Sequence, residues 1–447
     1  MHRTDNQMMI SGSIPGKIIA FMIPIALSNL FQQLYNAVDS MIVGNFVGSS
    51  ALAAVSSSGN LIFMIVGFFN GIAIGAGVVI ARYLGAKDAK NTETAVHTTV
   101  ALGLVFSVLM TIIGMVFVPP LLRLMGTPAS VLPQSISYLR IYFAGSVGFV
   151  MYNVFVGILQ AAGDSEHPLI YLVISSGINL VMDLLLVAVF HFGVAGAAFA
   201  TVMSQVVSAL LCMNLLMRVD ADYRLRWSRV RLTKDMTLRI IRYGIPSGVQ
   251  NSIMSLSNVV IQSYINSYGE AAVAGIGAYT KVEGFCFIPV SSFAMAITTF
   301  VSQNLGAGEY ERTRKGVRFS AAATLVSAQA LGLLLFAFRY PLIGLFDSNP
   351  AVIQFGADRA KFTCLAFFLC AFTHFFAAVM RGAGKPMIPM FVFMFCWCLV
   401  RVLILTITDQ FVHTVTTTYL VYPITWTIST ITLAICYRRL DLRKARL

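Results

Sequence analysis

The sequence predicts an all-α polytopic membrane protein, and its composition and its apolar runs both support that fold class. Of its 447 residues, 57% are hydrophobic and only 11% are charged, whereas a soluble domain carries about 25% charged residues. Apolar runs of roughly 20 residues, each long enough to cross a bilayer, recur along the whole chain. A soluble core could not bury so many runs, and the runs lack the alternation of a membrane β-barrel.

Twelve spans can be placed in order, each a continuous apolar stretch bounded by short polar connections. They are residues 17–43, 52–80, 94–118, 134–162, 168–190, 194–217, 240–266, 272–303, 317–338, 354–381, 386–408 and 414–437. One connection, 217–244, is longer, charged and without an apolar run. We therefore predict an N-lobe of six helices at 1–217, a basic cytoplasmic linker at 218–239, and a C-lobe of six helices at 240–447 that ends in a short basic cytoplasmic tail.

The Lys and Arg residues orient the chain. If the N-terminus is cytoplasmic, most basic residues of the connections fall on the inner side. The exceptions on the outer side are Arg123, Arg140, Arg339, Arg359 and Lys361. The positive-inside rule then predicts a multi-pass protein of the plasma or inner membrane with both termini in the cytoplasm. Because this bias and anionic lipid headgroups account for the net charge of +13, we expect the bilayer, and no nucleic acid, as a partner.

Two motifs occur once in each half of the chain. "LGAKDAK" follows the second span and contains Gly85, and "LGAGEYERTR" follows the eighth and contains Gly306. We call the separation of these two glycines along the sequence the repeat spacing. "QAAGDSEHP" follows the fourth span and "RGAGKP" the tenth, and Gly163 and Gly384 within them have the same separation. Because each half has an even number of spans, both halves start on the same side. This predicts two six-helix bundles related by a pseudo-twofold axis along the membrane normal.

Three acidic residues lie well within spans: Asp39, Asp183 and Glu283. An ionisable group at membrane depth costs at least ~2.5–3.5 kcal/mol, so each indicates a functional site. Asp39 and Asp183 both reach the outer half of a span that starts inside, at ~1.5 Å per residue. These two carboxylates can therefore share a depth in the membrane.

Polar neighbours accompany these two aspartates. Tyr35 and Asn36 precede Asp39 by one helical turn, Asn179 precedes Asp183 by one turn, and the sixth span adds Thr201. The predicted cation-coupling residues are Asp39, Asp183, Asn179, Tyr35, Asn36 and Thr201. Carboxylate, amide and hydroxyl oxygens suit Na⁺, and the ligands would be Asp39, Asn179, Asp183 and Thr201. Two close carboxylates also suit a proton, because both cannot easily stay ionised in a low dielectric. A purely structural polar cluster is the remaining alternative.

Four residues are candidates for a substrate cleft in the second half: Lys281, Glu283, His374 and Arg401. Lys281 and Glu283 are two residues apart and lie on different helix faces, so they are not a simple helical pair. Arg401 could neutralise an acid. A buried histidine such as His374 is more often a hydrogen-bonded core residue than a ligand contact. For each of these four residues, a purely structural role is the alternative to substrate binding.

The two motif pairs, together with twelve spans in two halves, resemble the multidrug and toxic compound extrusion (MATE) transporters of the MATE/flippase superfamily. The resemblance implies a secondary active antiporter that exports amphipathic, often cationic, organic compounds in exchange for H⁺ or Na⁺ by alternating access. It implies a cation site in the N-lobe at Asp39, Asn179 and Asp183, no cofactor besides the coupling ion, no enzymatic activity, and a functional monomer. One bacterial subgroup also has carboxylates in the seventh and tenth spans. Here the apolar stretches "GVQNSIMSLSNVVIQSYI" of the seventh span and "CLAFFLCAFTHFFAAVM" of the tenth contain none, so a sodium site of that type in the C-lobe is not expected.

Two alternatives belong to other functional classes. A flippase for lipid-linked saccharides or another amphipathic lipid would be expected to line its cleft with several basic residues, and we count only Lys281 and Arg401 well within the spans, away from their ends. An intramembrane aspartyl protease would use two membrane aspartates as a dyad. The sequences around Asp39 and Asp183, "YNAVD" and "INLVMD", do not match the YD and GxGD motifs of such proteases.

Overall fold

The computed structural model describes residues 8–124, 127–412 and 414–444, and every regular element in these ranges is helical. The predicted lobes also include 1–7 and 445–447, which lie outside the described ranges. The α-helices are α1 Ile14–Phe46, α2 Ser49–Gly85, α3 Ala89–Leu124, α4 Leu132–Ala144, α5 Ser146–Ala161, α6 Glu166–Asp183, α7 Gly193–Arg218, α8 Lys234–Asn266, α9 Glu270–Gly306, α10 Tyr310–Ala337, α11 Arg339–Gly344, α12 Pro350–Leu365, α13 Phe367–Gly382, α14 Met387–Phe393, α15 Arg401–Phe411 and α16 Val415–Arg438.

The predicted membrane fold is confirmed. Within the described residues, nine helices are long and apolar enough to cross a membrane, and two bent helix pairs raise this number to eleven. The remaining predicted span, 240–266, lies in α8, a helix of 33 residues. Serine, asparagine and glutamine side chains make α8 less apolar than the other spans, although its length is sufficient at ~1.5 Å per residue.

The fourth and tenth spans are each broken by a sharp bend. The angle is 51° between α4 and α5 and 53° between α12 and α13. Each break releases backbone groups that lipid cannot satisfy. Thr111 Oγ1 donates to the carbonyl of Phe143 at 3.0 Å. At the second break, Gln329 Nε2 donates to the carbonyl of Cys364 at 3.5 Å and its Oε1 accepts from the N–H of Phe368 at 3.3 Å. Side chains of neighbouring helices thus stabilise both bends.

The fifth and eleventh spans each contain a π-helical turn. Residues Leu184–Val189 continue α6, and Met394–Val400 connect α14 to α15. A π-turn inserts an extra residue into a helical turn and is frequent at functional sites. The first π-turn begins directly after Asp183 and the second ends directly before Arg401, so each adjoins a buried ionisable residue.

The repeated motifs are helix ends with left-handed backbone. Gly163 and Gly384 have φ of 92° and 79°. Lys87 and Gly308, which are also separated by the repeat spacing, have φ of 54° and 76°. A left-handed residue is a common way to end an α-helix and usually requires glycine. The repeated motifs therefore correspond to two helix-ending turns that occur in both halves of the chain.

The aspartates of the two first-half motifs cap the helices that follow. Asp88 Oδ1 accepts from the N–H of Asn91 at 3.0 Å, and Asp88 Oδ2 accepts from Asn91 Nδ2 at 2.6 Å. These hydrogen bonds lower the pKa of the Asp88 carboxyl group, because they favour its charged form. Asp164 accepts from the N–H of His167 at 3.1 Å in the same manner. These acids stabilise helix starts.

Lys87 occupies a backbone conformation that suits glycine, whereas its counterpart is already Gly308. We expect Lys87→Gly to stabilise the protein and Gly308→Lys to destabilise it, each by about 1 kcal/mol, because a side chain in the left-handed region is strained. A Cβ on Gly308 would meet nothing within 4 Å, so this pair isolates the backbone effect. The unfolding midpoints of the two purified variants should shift in opposite directions, and shifts in the same direction would contradict this explanation.

The described chain divides into two compact units. The first contains Ile23–Gly248 and the second contains Met9–Met22 with Val249–Leu447. The predicted linker packs with the first unit: Arg226 donates its backbone N–H to His97 Nε2 at 3.0 Å. Each unit has its own apolar core of buried helix faces. The lobe limits drawn from the sequence stay a prediction.

Candidate functional site

Asp39 of α1 and Asp183 of α6 lie together in the first unit. Both are buried, with 8% and 1% of their surface exposed, and their carboxyl groups are within hydrogen-bonding reach of each other. No described donor reaches Oδ1 of Asp39 or either oxygen of Asp183. Two ionised carboxylates can only accept hydrogen bonds and repel each other, and a proton shared between them or a cation held by both would relieve that repulsion.

Three predicted companions are part of this arrangement, which we call the carboxylate cluster: Tyr35, Asp39, Asn179, Asp183 and Thr201. Tyr35 donates its hydroxyl hydrogen to Thr201 Oγ1 at 3.4 Å, and Thr201 donates to the carbonyl of Ala197 at 3.0 Å. Asn179 is 1% exposed and its Nδ2 has no hydrogen-bond partner among the described residues. The cluster therefore joins α1, α6 and α7 through oxygen-rich side chains.

Two tyrosines of α4 lie next to the carboxylate cluster. Tyr138 is buried and lies close enough for the charges of Asp39 and Asp183 to act on its hydroxyl. Tyr142 stacks on Tyr138 with ring centroids 6.4 Å apart. Neither tyrosine is among the site residues predicted from the sequence. Their spacing of four in an outer half-span, "SYLRIYFAG", is the signal that could have found them.

The oxygen atoms of the carboxylate cluster fit a proton or a hard monovalent cation. Carboxylate, amide and hydroxyl oxygens are the ligands that such ions prefer. Among the described residues, no group of three or more His, Cys, Asp or Glu could hold a metal ion. Asn36, the sixth predicted coupling residue, is exposed, and the structure does not bring it to the cluster.

A second group of charged residues lies in the second unit. Glu283 Oε2 is 3.7 Å from Nη2 of Arg359, and Glu283 Oε1 accepts from the hydroxyl of Tyr279 at 3.3 Å. The placement of Arg359 among the basic residues of the connections was wrong, because Arg359 is 5% exposed within α12. Glu283 therefore has its charge partner on a neighbouring span of the same unit.

Arg401, predicted as a neutralising residue, extends this group. Its guanidinium carbon is 4.7 Å from the ring centroid of Tyr422, the same distance as that of Arg359. Arg401 donates from Nη1 to Ser257 Oγ at 3.3 Å and from Nη2 to Thr425 Oγ1 at 3.1 Å. We call this group the arginine cluster and define it as Tyr279, Glu283, Arg359, Arg401 and Tyr422.

Two glycines allow α9 and α12 to approach closely enough to form the arginine cluster. A Cβ on Gly275 would lie 2.2 Å from the carbonyl oxygen of Val352, and a Cβ on Gly356 would lie 2.6 Å from the carbonyl oxygen of Gly275. Real Cβ atoms do not approach so closely, so only glycine fits at this crossing. Glu283 lies eight residues beyond Gly275 and Arg359 three beyond Gly356, on the faces that meet.

The other two cleft candidates lie apart from the arginine cluster. Lys281 is exposed, with Nζ 5.6 Å from the ring centroid of Phe346. His374 is 7% exposed and lies among three aromatic rings, 4.9 Å from Phe287, 5.4 Å from Phe393 and 5.6 Å from Trp397. These surroundings are those of a packed core residue.

Membrane helices with ionisable side chains buried in each of two structural units define the class of a polytopic membrane transporter. The chain belongs to the MatE family, whose model matches residues 24–185 and again 246–407. The second match follows the first at nearly the repeat spacing, which agrees with the internal repeat. MATE proteins are a multidrug efflux transporter family.

Relatives and solved structures agree with this membership. The chain is 29% identical over 377 residues to the probable multidrug resistance protein YoeA of Bacillus subtilis, covering 83% of this chain and 81% of that one. It is 25% identical over 399 residues to a protein of Shewanella oneidensis named as an FAD transporter, covering 86% and 85%. The structure of a multidrug resistance MATE family transporter in its outward-facing conformation superposes with a TM-score of 0.90 at 23% identity, covering 98% and 97%.

Proposed function

We propose that this protein is a secondary active antiporter that exports amphipathic organic compounds, cationic ones among them, in exchange for H⁺ or Na⁺ by alternating access. The observation that carries the proposal is the pair of buried carboxyl groups, Asp39 and Asp183, which lie within hydrogen-bonding reach of each other with no described donor to their free oxygens. A shared proton satisfies this geometry with the fewest ligands, so we favour H⁺ as the coupling ion.

The coupling mechanism follows from the electrostatics of the pair. With the cation bound, Asp39 and Asp183 attract the same charge and hold α1 against α6 and α7. When the cation leaves, the two carboxylates repel each other in a low dielectric. α1 is the element that can respond, because only 17% of its apolar stretch is buried, compared with 61% for α9, and few buried contacts permit local movement.

Cation binding and substrate binding are then linked through that movement. A cation that stabilises one arrangement of α1 disfavours a substrate that binds the other arrangement, and the effect is reciprocal. We further propose that the protein acts as a monomer in the cell membrane with both termini cytoplasmic, that it needs no organic cofactor or nucleic acid, and that it is not an enzyme. The names of its relatives include both multidrug resistance and FAD transport, so we propose organic substrates of more than one chemical type.

The experiment that tests the proposal measures export of ethidium, a fluorescent cation, from proteoliposomes under separately imposed proton and sodium gradients. We expect a proton gradient to accelerate ethidium movement against its concentration, and a sodium gradient alone to have no effect. The reverse result would assign Na⁺ to the same carboxyl pair. Ethidium movement that neither gradient alters would overturn the antiport proposal and favour the flippase alternative.

A further inference from the structure

The arginine cluster occupies the place in the second half of the chain that the carboxylate cluster occupies in the first. The bent spans α4–α5 and α12–α13 break after Ala144 and Leu365, which are separated by the repeat spacing. Arg359 of α12 follows Tyr138 of α4 by the same repeat spacing along the sequence, and Tyr138 is the residue beside the two aspartates. A guanidinium group therefore lies at the position equivalent to a tyrosine hydroxyl.

Arg401 likewise corresponds to Asn179. Pro168 and Pro389 are separated by the repeat spacing and lie near the starts of the fifth and eleventh spans. Asn179 follows Pro168, and Arg401 follows Pro389, by nearly the same number of residues; the separation is one residue longer for Arg401. The π-turn Met394–Val400 lies before Arg401 and accommodates that extra residue. The two side chains thus hold equivalent positions in the two repeats, one an amide and the other a cation.

The contacts of the two clusters also correspond. Thr201 and Tyr422 are separated by the repeat spacing, and Tyr35 and Ser257 by a single position more. In the first unit Tyr35 donates to Thr201. In the second unit Ser257 accepts from Arg401, whose guanidinium carbon lies 4.7 Å from the ring centroid of Tyr422. The same helices therefore build a polar site in both units, with acids in one and bases in the other.

The arginine cluster contains more positive than negative charge. It has two buried guanidinium groups and one carboxylate, that of Glu283. Glu283 pairs with Arg359, and Arg401 forms no ion pair within the described residues. An arginine stays protonated inside a protein, and a buried charge without a counter-charge costs several kcal/mol. The Nε groups of Arg359 and Arg401 are buried and have no hydrogen-bond partner in the described part of the chain. Donors and charge are therefore both available for a second anionic group.

We propose that the arginine cluster is a binding site for one carboxylate group of an organic anion or zwitterion. A carboxylate matches the planar donor geometry of a guanidinium group, and the aromatic rings around the two arginines suit an apolar or aromatic body attached to it. As a subsite for a transported compound this inference rests on the proposed export function, whereas binding itself does not require transport.

Glu283 is the group with which the incoming carboxylate competes. Its side chain is 17% exposed, compared with 6% for Arg359, and their closest atoms are 3.7 Å apart, a loose contact for an ion pair. Glu283 therefore competes with the ligand for the same guanidinium group. Removing its charge makes the site more cationic and frees donors of Arg359.

The test titrates purified full-length protein in detergent with potassium benzoate at constant ionic strength and follows its melting temperature. Benzamide, a neutral molecule of similar shape, is the control ligand. We expect benzoate, and not benzamide, to raise the melting temperature saturably. Glu283→Gln should lower the half-saturating benzoate concentration by about tenfold, and Arg401→Gln and Arg359→Gln should raise it by at least about tenfold.

Lys361→Gln is the matched control, because it removes an exposed positive charge two residues from Arg359 on the same helix. It should leave the benzoate response unchanged. A wild-type protein that shows no saturable response to benzoate would overturn the proposal, as would weaker binding by Glu283→Gln or an equal loss in Lys361→Gln. The gain in Glu283→Gln keeps the test decisive if an arginine variant fails to fold. Because no ion gradient is present, failure of the antiport proposal would leave this result unchanged.

Discussion

Replacing Asp39 with asparagine is expected to reduce gradient-driven export to the level of liposomes without protein. An amide has nearly the shape of a carboxyl group but cannot release a proton or carry a charge. The introduced amide would donate a hydrogen bond to Asp183 permanently, and the first unit would stay in the arrangement that the cation-bound pair adopts. The coupling ion would then have no second state to exchange with, so export should fail completely rather than slow down.

The measurement compares Asp39→Asn and Asp183→Asn with wild type in proteoliposomes under the same imposed gradient. Asp358→Asn is the matched control, because Asp358 belongs to the second unit, accepts from Gln354 Nε2 at 2.9 Å and is not part of the carboxylate cluster. Equal amounts of each variant should be found in the membrane. Coupled export that persists in both Asp39→Asn and Asp183→Asn would show that the carboxyl pair does not couple transport.

The carboxylate cluster could be located from the sequence because helical periodicity gives depth and face directly. The distance of Asp39 and of Asp183 from the start of its span places both in the outer half of the membrane, and Asn179 lies on the same helix face as Asp183. Periodicity does not give the neighbour of that face. Tyr138 lies beside the aspartates in α4, the outer part of a span that bends by 51° where α4 meets α5. No proline stands at this break, and its released backbone is satisfied by Thr111 of another helix.

The arginine cluster shows more clearly that helical periodicity does not predict which helices pack against each other. Arg359 follows small and polar residues in "QFGADRA", and this composition resembles a connection more than a span. The residue is buried because Gly356 and Gly275 bring α12 against α9, and a tertiary crossing of this kind leaves no periodic signal. Pairing Glu283 with Arg359 requires knowing which two glycines face each other. By contrast, the internal repeat was visible in the sequence. It indicates the position of the arginine cluster once Arg359 is known to be buried within a span.

Substituting Ala for Gly275 is expected to destabilise the second unit by about 3 kcal/mol, because overpacking a tight core forces backbone shifts. The added Cβ would lie 2.2 Å from the carbonyl oxygen of Val352 and 3.0 Å from the amide nitrogen of Gly356. Both contacts are with backbone, so no side chain can rotate away. The unfolding free energy of the purified variant in a denaturant titration measures this effect.

Gly277 supplies the control from the same helix. A Cβ there would meet nothing within 4 Å, and alanine favours a helix over glycine by ~1 kcal/mol, so Gly277→Ala should be neutral or stabilising. If both substitutions destabilise equally, the close crossing at Gly275 is not what holds α9 and α12 together. If only Gly275→Ala does, the variant should also lose benzoate binding before it unfolds. The clash displaces the α12 backbone and moves Arg359 away from Arg401, so the two guanidinium groups could no longer bind one carboxylate, and the helix crossing and the anion site would fail together.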